Sequence, residues 1–183
     1  MRFVRSMLFV VALGVPLVAA GQAQVDHSSH NTPPPESFVE QVRRATEPFR
    51  DARNVPSGYG RALGCVSGPD QGAMGVHFVN GNLLGDDVLD PAQPEALIYE
   101  FHEGLGRLVG VEYIVFYDVW HLTHSKNDPP QIAGRLLNFN EEPNRFGLPA
   151  FYELHVWAWR DNPNGAFVDW NPQVSCESFV PVP

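Results

Sequence analysis

Two hydrophobic rhythms divide this chain. Between residues 37 and 53 apolar positions recur at helical spacing, with Phe38, Val42, Ala45, Phe49 and Ala52 on one face. Arg43, Arg44, Glu47, Arg50 and Asp51 form the solvated side. Ser37 followed by Glu40 makes a capping box, so the pattern predicts a helix that starts at Ser37. Pro48 removes a helical hydrogen bond and crowds the preceding turn, which predicts a kink or a restart with Pro48 in a first turn.

From Gly58 onward Gly, Pro and Asn punctuate apolar runs rich in Val, Ile, Tyr, Phe and Trp, the mark of antiparallel strands joined by turns. Strands are expected near residues 75–80, 96–102, 108–117 and 151–160, with a short one around 174–177. LVGVEYIVFY is apolar on both faces, which predicts a central strand. HEGLGR, 102–107, reads as a hairpin loop, DNPNG, 161–165, as a turn, and HSKNDPPQ, 124–131, as an exposed loop.

Alternation along a strand places Phe151, Glu153, His155, Trp157 and Trp159 of FYELHVWAWR on one face. A carboxylate among aromatic side chains is costly inside a protein unless it is paired, protonated or bound to a cation. If the same face meets solvent, its three large aromatics form a binding patch. His77 in GVHFVN, Glu100 in ALIYE and Glu112 in GVEYIVF interrupt apolar strands in the same way. Two imidazoles and one or two carboxylates around an open position suit Zn, Fe, Mn or Cu.

The candidate metal ligands are therefore His77, His155, Glu153, Glu112 and Glu100. A metal-free reading uses Glu112 or Glu153 as a general base, its pKa raised by burial beside Tyr113 or His155. A third reading is a non-catalytic module that holds a small ligand or protein through Trp157, Trp159 and Tyr113. A fourth is a polar core with no site at all.

Other motifs add less. HLTH, with His121 and His124, supplies a ligand pair only if it forms a helical turn, and SKNDPP after it argues for solvated histidines. GYGRALG, 58–64, follows a helix and lacks a preceding strand, so it reads as chain reversal before Cys65 and not as a phosphate loop. Gly72 and Gly75 in GPDQGAMG allow either a plain tight turn or a close backbone approach beside His77. DWNPQVSC, 169–176, reads as a turn, with Asn171 extended before Pro172.

Composition sets the setting. Residues 1–24 carry Arg2 and Arg5, an apolar run from Met7 to Ala20 and small residues at Ala19, Ala20, Gly21 and Ala23, which together predict an export signal. Its removal leaves 10 basic against 21 acidic residues and no basic stripe, so nucleic acid and anionic lipid are unsuitable partners. After cleavage no further segment is long enough to cross a bilayer, and the expected location is periplasmic or secreted. Residues 25–36 are Pro-rich and polar and read as a disordered arm. His27 becomes a third-position chelator only if processing leaves Val25 first. Residues 37–183 are read as one globular domain.

Cys65 and Cys176 are the two cysteines, and an exported chain meets an oxidising compartment, so a disulfide is expected. In the chain-entropy model it stabilises by about 4–5 kcal/mol. The competing reading is two thiols that bind a metal.

The chain resembles a group of exported bacterial proteins through LGCVSGP, GAMGVHFVN, PEALIYE, LVGVEYIVF, FYELHVWAWR and FVDWNPQVSC. The likeness covers most of residues 45–176 and implies no activity or ligand. His77, Glu112, Glu153 and His155 fall within the shared blocks, whereas HLTH and the N-terminal histidines fall outside them. The fold expected is α+β, a kinked N-terminal helix packed on an antiparallel, barrel-like sheet and stapled by Cys65–Cys176. The leading function is metal binding, with a small molecule as partner.

Overall fold

The computed structural model describes residues 36–180. The signal-peptide expectation, and the arm with His27 and His30 except for Glu36, lie outside them. Helix α1 (Phe38–Thr46) begins as its sequence dictates: the Glu40 amide donates to Ser37 Oγ at 3.3 Å, and the Ser37 amide donates to Glu40 Oε2 at 3.0 Å. These bonds satisfy backbone donors that a helix start otherwise leaves without partners. The helix stops before Pro48, which sits in the first turn of a 3-10 segment (Glu47–Phe49). Phe38, Val42 and Thr46 are the buried positions. Thr46 is tolerated there because its hydroxyl donates to the Val42 carbonyl at 2.7 Å and accepts from Trp159 Nε1 at 3.0 Å.

Eight strands follow: β1 (Tyr59–Gly68), β2 (Gly72–Asn80), β3 (Ala96–His102), β4 (Leu105–Phe116), β5 (Gln131–Ile132), β6 (Arg135–Leu136), β7 (Asn138–Asn140) and β8 (Phe151–Val156). A helical turn, α2 (Tyr117–Trp120), separates β4 from β5. Six strands make one antiparallel sheet in the order β1-β2-β3-β4-β8-β7, curled into a half-barrel, and β5 and β6 pair separately. The α+β expectation and the interior position of β4 both hold.

Helix α1 covers one face of the sheet. Phe38 and Val42 pack with Leu97, Tyr99, Val111 and Tyr113 there. The opposite face carries His77, Glu112, Glu153 and His155. The ladder register decides which of those residues meet.

Three local expectations fail. Tyr59–Gly68 is an edge strand, because glycines and a register irregularity between Arg61 and Cys65 hide its alternation. Residues 174–177 are irregular, with a bend at Cys176, and form no strand. The aromatic strand ends at Val156, where the Ala158 amide donates to the Val156 carbonyl at 2.8 Å in a tight bend that breaks the alternation.

The chain closes across the sheet through DWNP. Ala73 and Asn171 exchange two backbone hydrogen bonds, both 3.2 Å, and Asn171 is fully buried. Gly72 has φ +89°, and a Cβ there would stand 2.1 Å from the Asn171 carbonyl oxygen. The close approach thus excludes every other residue on two grounds, backbone conformation and space. Gly72→Ala is expected to destabilise the fold by about 2–4 kcal/mol, read as a lower urea midpoint with an unchanged slope. The expected disulfide, Cys65–Cys176, holds the same C-terminal segment to β1.

Candidate functional site

Register brings the polar residues together on the face opposite α1. Glu112 on β4 lies across from His155 on β8 and from Ala96 on β3, and Ile114 lies across from Glu153. On β2, His77 pairs with Ile98. The methyl of Ala96 is too small to separate them, and His77 Nε2 reaches within 3.3 Å of Glu112 Oε2. The His77 and His155 rings meet edge-on with centroids 5.8 Å apart. One ligand atom each from His77, Glu112 and His155 falls within 4.8 Å of the others. A second group, Glu153, His155 and Asp169, meets the same criterion and shares His155.

Every residue of this cluster except Asp169 is at least nine-tenths buried. Burial pushes the His77 imidazole down to about 4, offset in part by the Gly75 backbone. Burial, and then the neighbouring His77, hold His155 well below the ordinary histidine range. Glu112 is pushed well up, first by burial and then by the neighbouring Glu153 carboxyl. Asp169 is raised by burial and by Glu153. Burial therefore favours the neutral forms of His77, His155 and Glu112.

Neither ring nitrogen of His155 has a hydrogen-bond partner among the described residues, and His77 Nδ1 lacks one of good geometry. Buried polar atoms are nearly always satisfied, and leaving one unpaired costs about 1–3 kcal/mol. Asp169 Oδ1 stands 3.8 Å from His155 Nδ1, too far for a hydrogen bond, so both ring nitrogens stay open to a ligand. Two donors on one tetrahedral cation at about 2.0–2.1 Å stand roughly 3.3–3.4 Å apart, and the 3.3 Å between His77 and Glu112 matches. Two imidazoles and a carboxylate that converge in this way fit a transition metal.

A cavity of about 140 Å³ opens over His77, Glu112 and Glu153. Its walls are apolar, among them Val79, Leu84, Ile114, Phe146, Leu148 and Phe151. The protein thus joins a polar floor to a hydrophobic chamber.

Four of the site residues expected from sequence are not members of the histidine–carboxylate cluster. Glu100 shares a face with Ala96 but sits four residues along β3, about 13 Å away at strand rise. It pairs with Arg160 and accepts from the Ser175 amide at 3.0 Å, so it is no part of the cluster. Tyr113 points to the α1 side, donates to the Pro91 carbonyl at 2.9 Å and lies against Phe38. Trp157 stays on the site side but is buried beside His155, with Nε1 donating to the Val168 carbonyl at 2.6 Å. The bend after Val156 turns Trp159 to the α1 side, where the Arg50 guanidinium lies 4.2 Å above its ring. The two tryptophans therefore share no face, and the expected aromatic patch is not built.

HLTH follows a helical turn after all. His121 Nε2 lies 3.0 Å from the Tyr152 hydroxyl, and His124 stacks on Trp120, so each ring is held by its own neighbours. Two acidic residues escape sequence reasoning. Asp169 reaches the cluster from a loop, where no periodicity signals it. Glu95 precedes β3, is 1 % exposed and accepts from the Ile114 amide at 3.0 Å.

Glu95 has a consequence of its own. Burial, opposed in part by its backbone hydrogen bonds and reinforced by Asp86 and Asp90, pushes it from an ordinary 4.5 up to about 8. Its carboxyl favours the folded state fully below pH 4.5, and that contribution disappears as pH rises to about 8. Between pH 5 and 9 the wild-type chain is expected to lose on the order of 3–5 kcal/mol relative to Glu95→Gln, which keeps the acceptor and cannot ionise. Urea unfolding of both proteins across that range checks the slope.

Fold and site together define an α+β half-barrel with a buried histidine–carboxylate cluster under a small apolar chamber. No family model matches the chain, and no curated protein or solved structure shows significant similarity to it.

Proposed function

We propose that this chain is an exported metal-binding protein, periplasmic or secreted, with His77, Glu112 and His155 as ligands to a divalent transition metal. Glu153 lies beside Glu112, and the Asp169 carboxylate stands 3.8 Å from His155 Nδ1. The observation that carries the reading is His155: a fully buried imidazole with both nitrogens unpaired, one of them facing a second histidine and a carboxylate. In a polar core without a ligand such a ring would gain a backbone or side-chain partner. Zn, Fe, Mn and Cu all suit the donor set, and three such ligands would leave room for a further one from the chamber that His77 and Glu112 line. The Cys65–Cys176 disulfide supports an oxidising compartment, and none of the described helices is long and apolar enough to cross a membrane.

A bound metal would act as a Lewis acid or activate water on the chamber side. The residues of the chain hold it, neutralise its charge and exclude bulk solvent. The burial that raises Glu112, with Glu153 beside it at the floor of the chamber, favours a second reading, a metal-free acid–base site. Elemental analysis separates the two. Protein purified from its export compartment is expected to carry about one transition-metal ion per chain and the His155→Ala variant almost none, whereas metal-free wild-type protein that also takes up none on dialysis would leave only the acid–base reading.

A further inference from the structure

The chamber over the cluster is too small and too apolar to be an accidental surface dimple, and its composition names a ligand class. We propose that it holds a small uncharged ring of six or seven heavy atoms that carries one oxygen, the class to which phenol belongs, with the oxygen on the polar floor. This inference rests on the reading of His77, Glu112 and His155 as a metal centre and specifies what its open side takes.

Size comes first. An apolar protein cavity of about 150 Å³ accommodates a benzene molecule, and this one measures about 140 Å³. Shape and chemistry agree, because Phe116, Phe146 and Phe151 offer ring faces and edges while His77, Glu112 and Glu153 supply polarity at one end only. A molecule with polar groups at both ends would bury one of them against hydrocarbon, at a cost that no contact offsets. Charge excludes the common metabolite anions: no Lys or Arg lines the chamber among the described residues, and two carboxyl groups form its floor. Glu112 and Glu153, once ionised, balance a divalent cation, so the loaded floor matches a neutral ligand.

Access is through the rim. Ala62 on β1 is exposed, and Leu63, Leu84, Phe146 and Leu148 are half-buried around the opening. Ala62 and Leu148 line the chamber and are none of the proposed metal ligands, so a larger side chain at either is the means chosen to fill it.

The test is calorimetric titration of phenol, toluene and benzoate into the zinc-loaded full chain, with zinc content measured in every sample. Saturable phenol binding is expected, with toluene at least tenfold weaker and benzoate without measurable binding. Ala62→Trp and Leu148→Trp are both prepared, in case one indole turns to solvent. At least one of them, with zinc retained, should weaken phenol at least tenfold. Absence of phenol binding, equal binding in both filled variants, toluene as tight as phenol, or benzoate as tight as phenol would each overturn the inference. A chain that takes up none of zinc, iron, manganese and copper overturns the metal reading instead. Phenol is then titrated into the metal-free chain, where binding blocked by the filled variants upholds the chamber's ligand class and lack of binding sinks it.

Discussion

Zinc at a hundredfold excess over its dissociation constant is expected to stabilise the folded chain by about 2.7 kcal/mol, and Glu112→Gln to abolish most of that gain. The reason is that the donors lie on three strands that only the folded sheet brings together: β2 with His77, β4 with Glu112 and β8 with His155. The unfolded chain holds them 35 and 43 positions apart and binds a cation weakly. Glu112→Gln preserves volume and removes the anionic donor, so a loss of zinc response cannot be blamed on collapse of the core. His155→Ala removes a ligand as well, but it opens a cavity and lowers stability with or without metal. Urea unfolding in zinc and in chelator is the measurement. A wild-type midpoint indifferent to zinc, iron, manganese and copper would leave the cluster without a metal.

The second large effect lies in the disulfide. Cys65 and Cys176 are 111 positions apart, and their bond closes most of the domain into one loop. Replacing both with Ala is expected to lower stability by about 2–5 kcal/mol. The loss should be uneven. The C-terminal segment that the bond tethers carries Asn171, and Asn171 is the residue that bridges to Ala73 beside Gly72. Hydrogen exchange is expected to accelerate first at the Ala73 and Asn171 amides and later in β3 and β4, which are paired on both sides. Uniform acceleration across the sheet would argue that the bond acts only through the unfolded state.

Much of the architecture was legible without coordinates. The capping box of α1, the restart at Pro48, the limits of β3 and the interior position of β4 follow from local chemistry and periodicity. Strand β1 was not legible, because Gly58, Gly60 and Gly64 and a register irregularity interrupt its alternation. The site was half legible. Alternation put Glu153 and His155 on one face and singled out His77 and Glu112 as polar breaks in apolar strands. It equally singled out Glu100, and it carried Trp159 one bend too far.

What the amino-acid order determined by itself is local: which segments are helix or strand, which side chains share a face within a strand, and which two sulfurs are available to join. Only the tertiary structure decided which faces meet. Alternation has a period of two and says nothing about how one strand slides along the next, so Glu100 and Glu112 looked alike until register set Glu112 opposite His155 and left Glu100 to Arg160. Curl of the sheet and the loops that fold over it then added Asp169, closed the chamber and buried the cluster. Those are contacts between residues distant in the chain, and no short stretch of it encodes them.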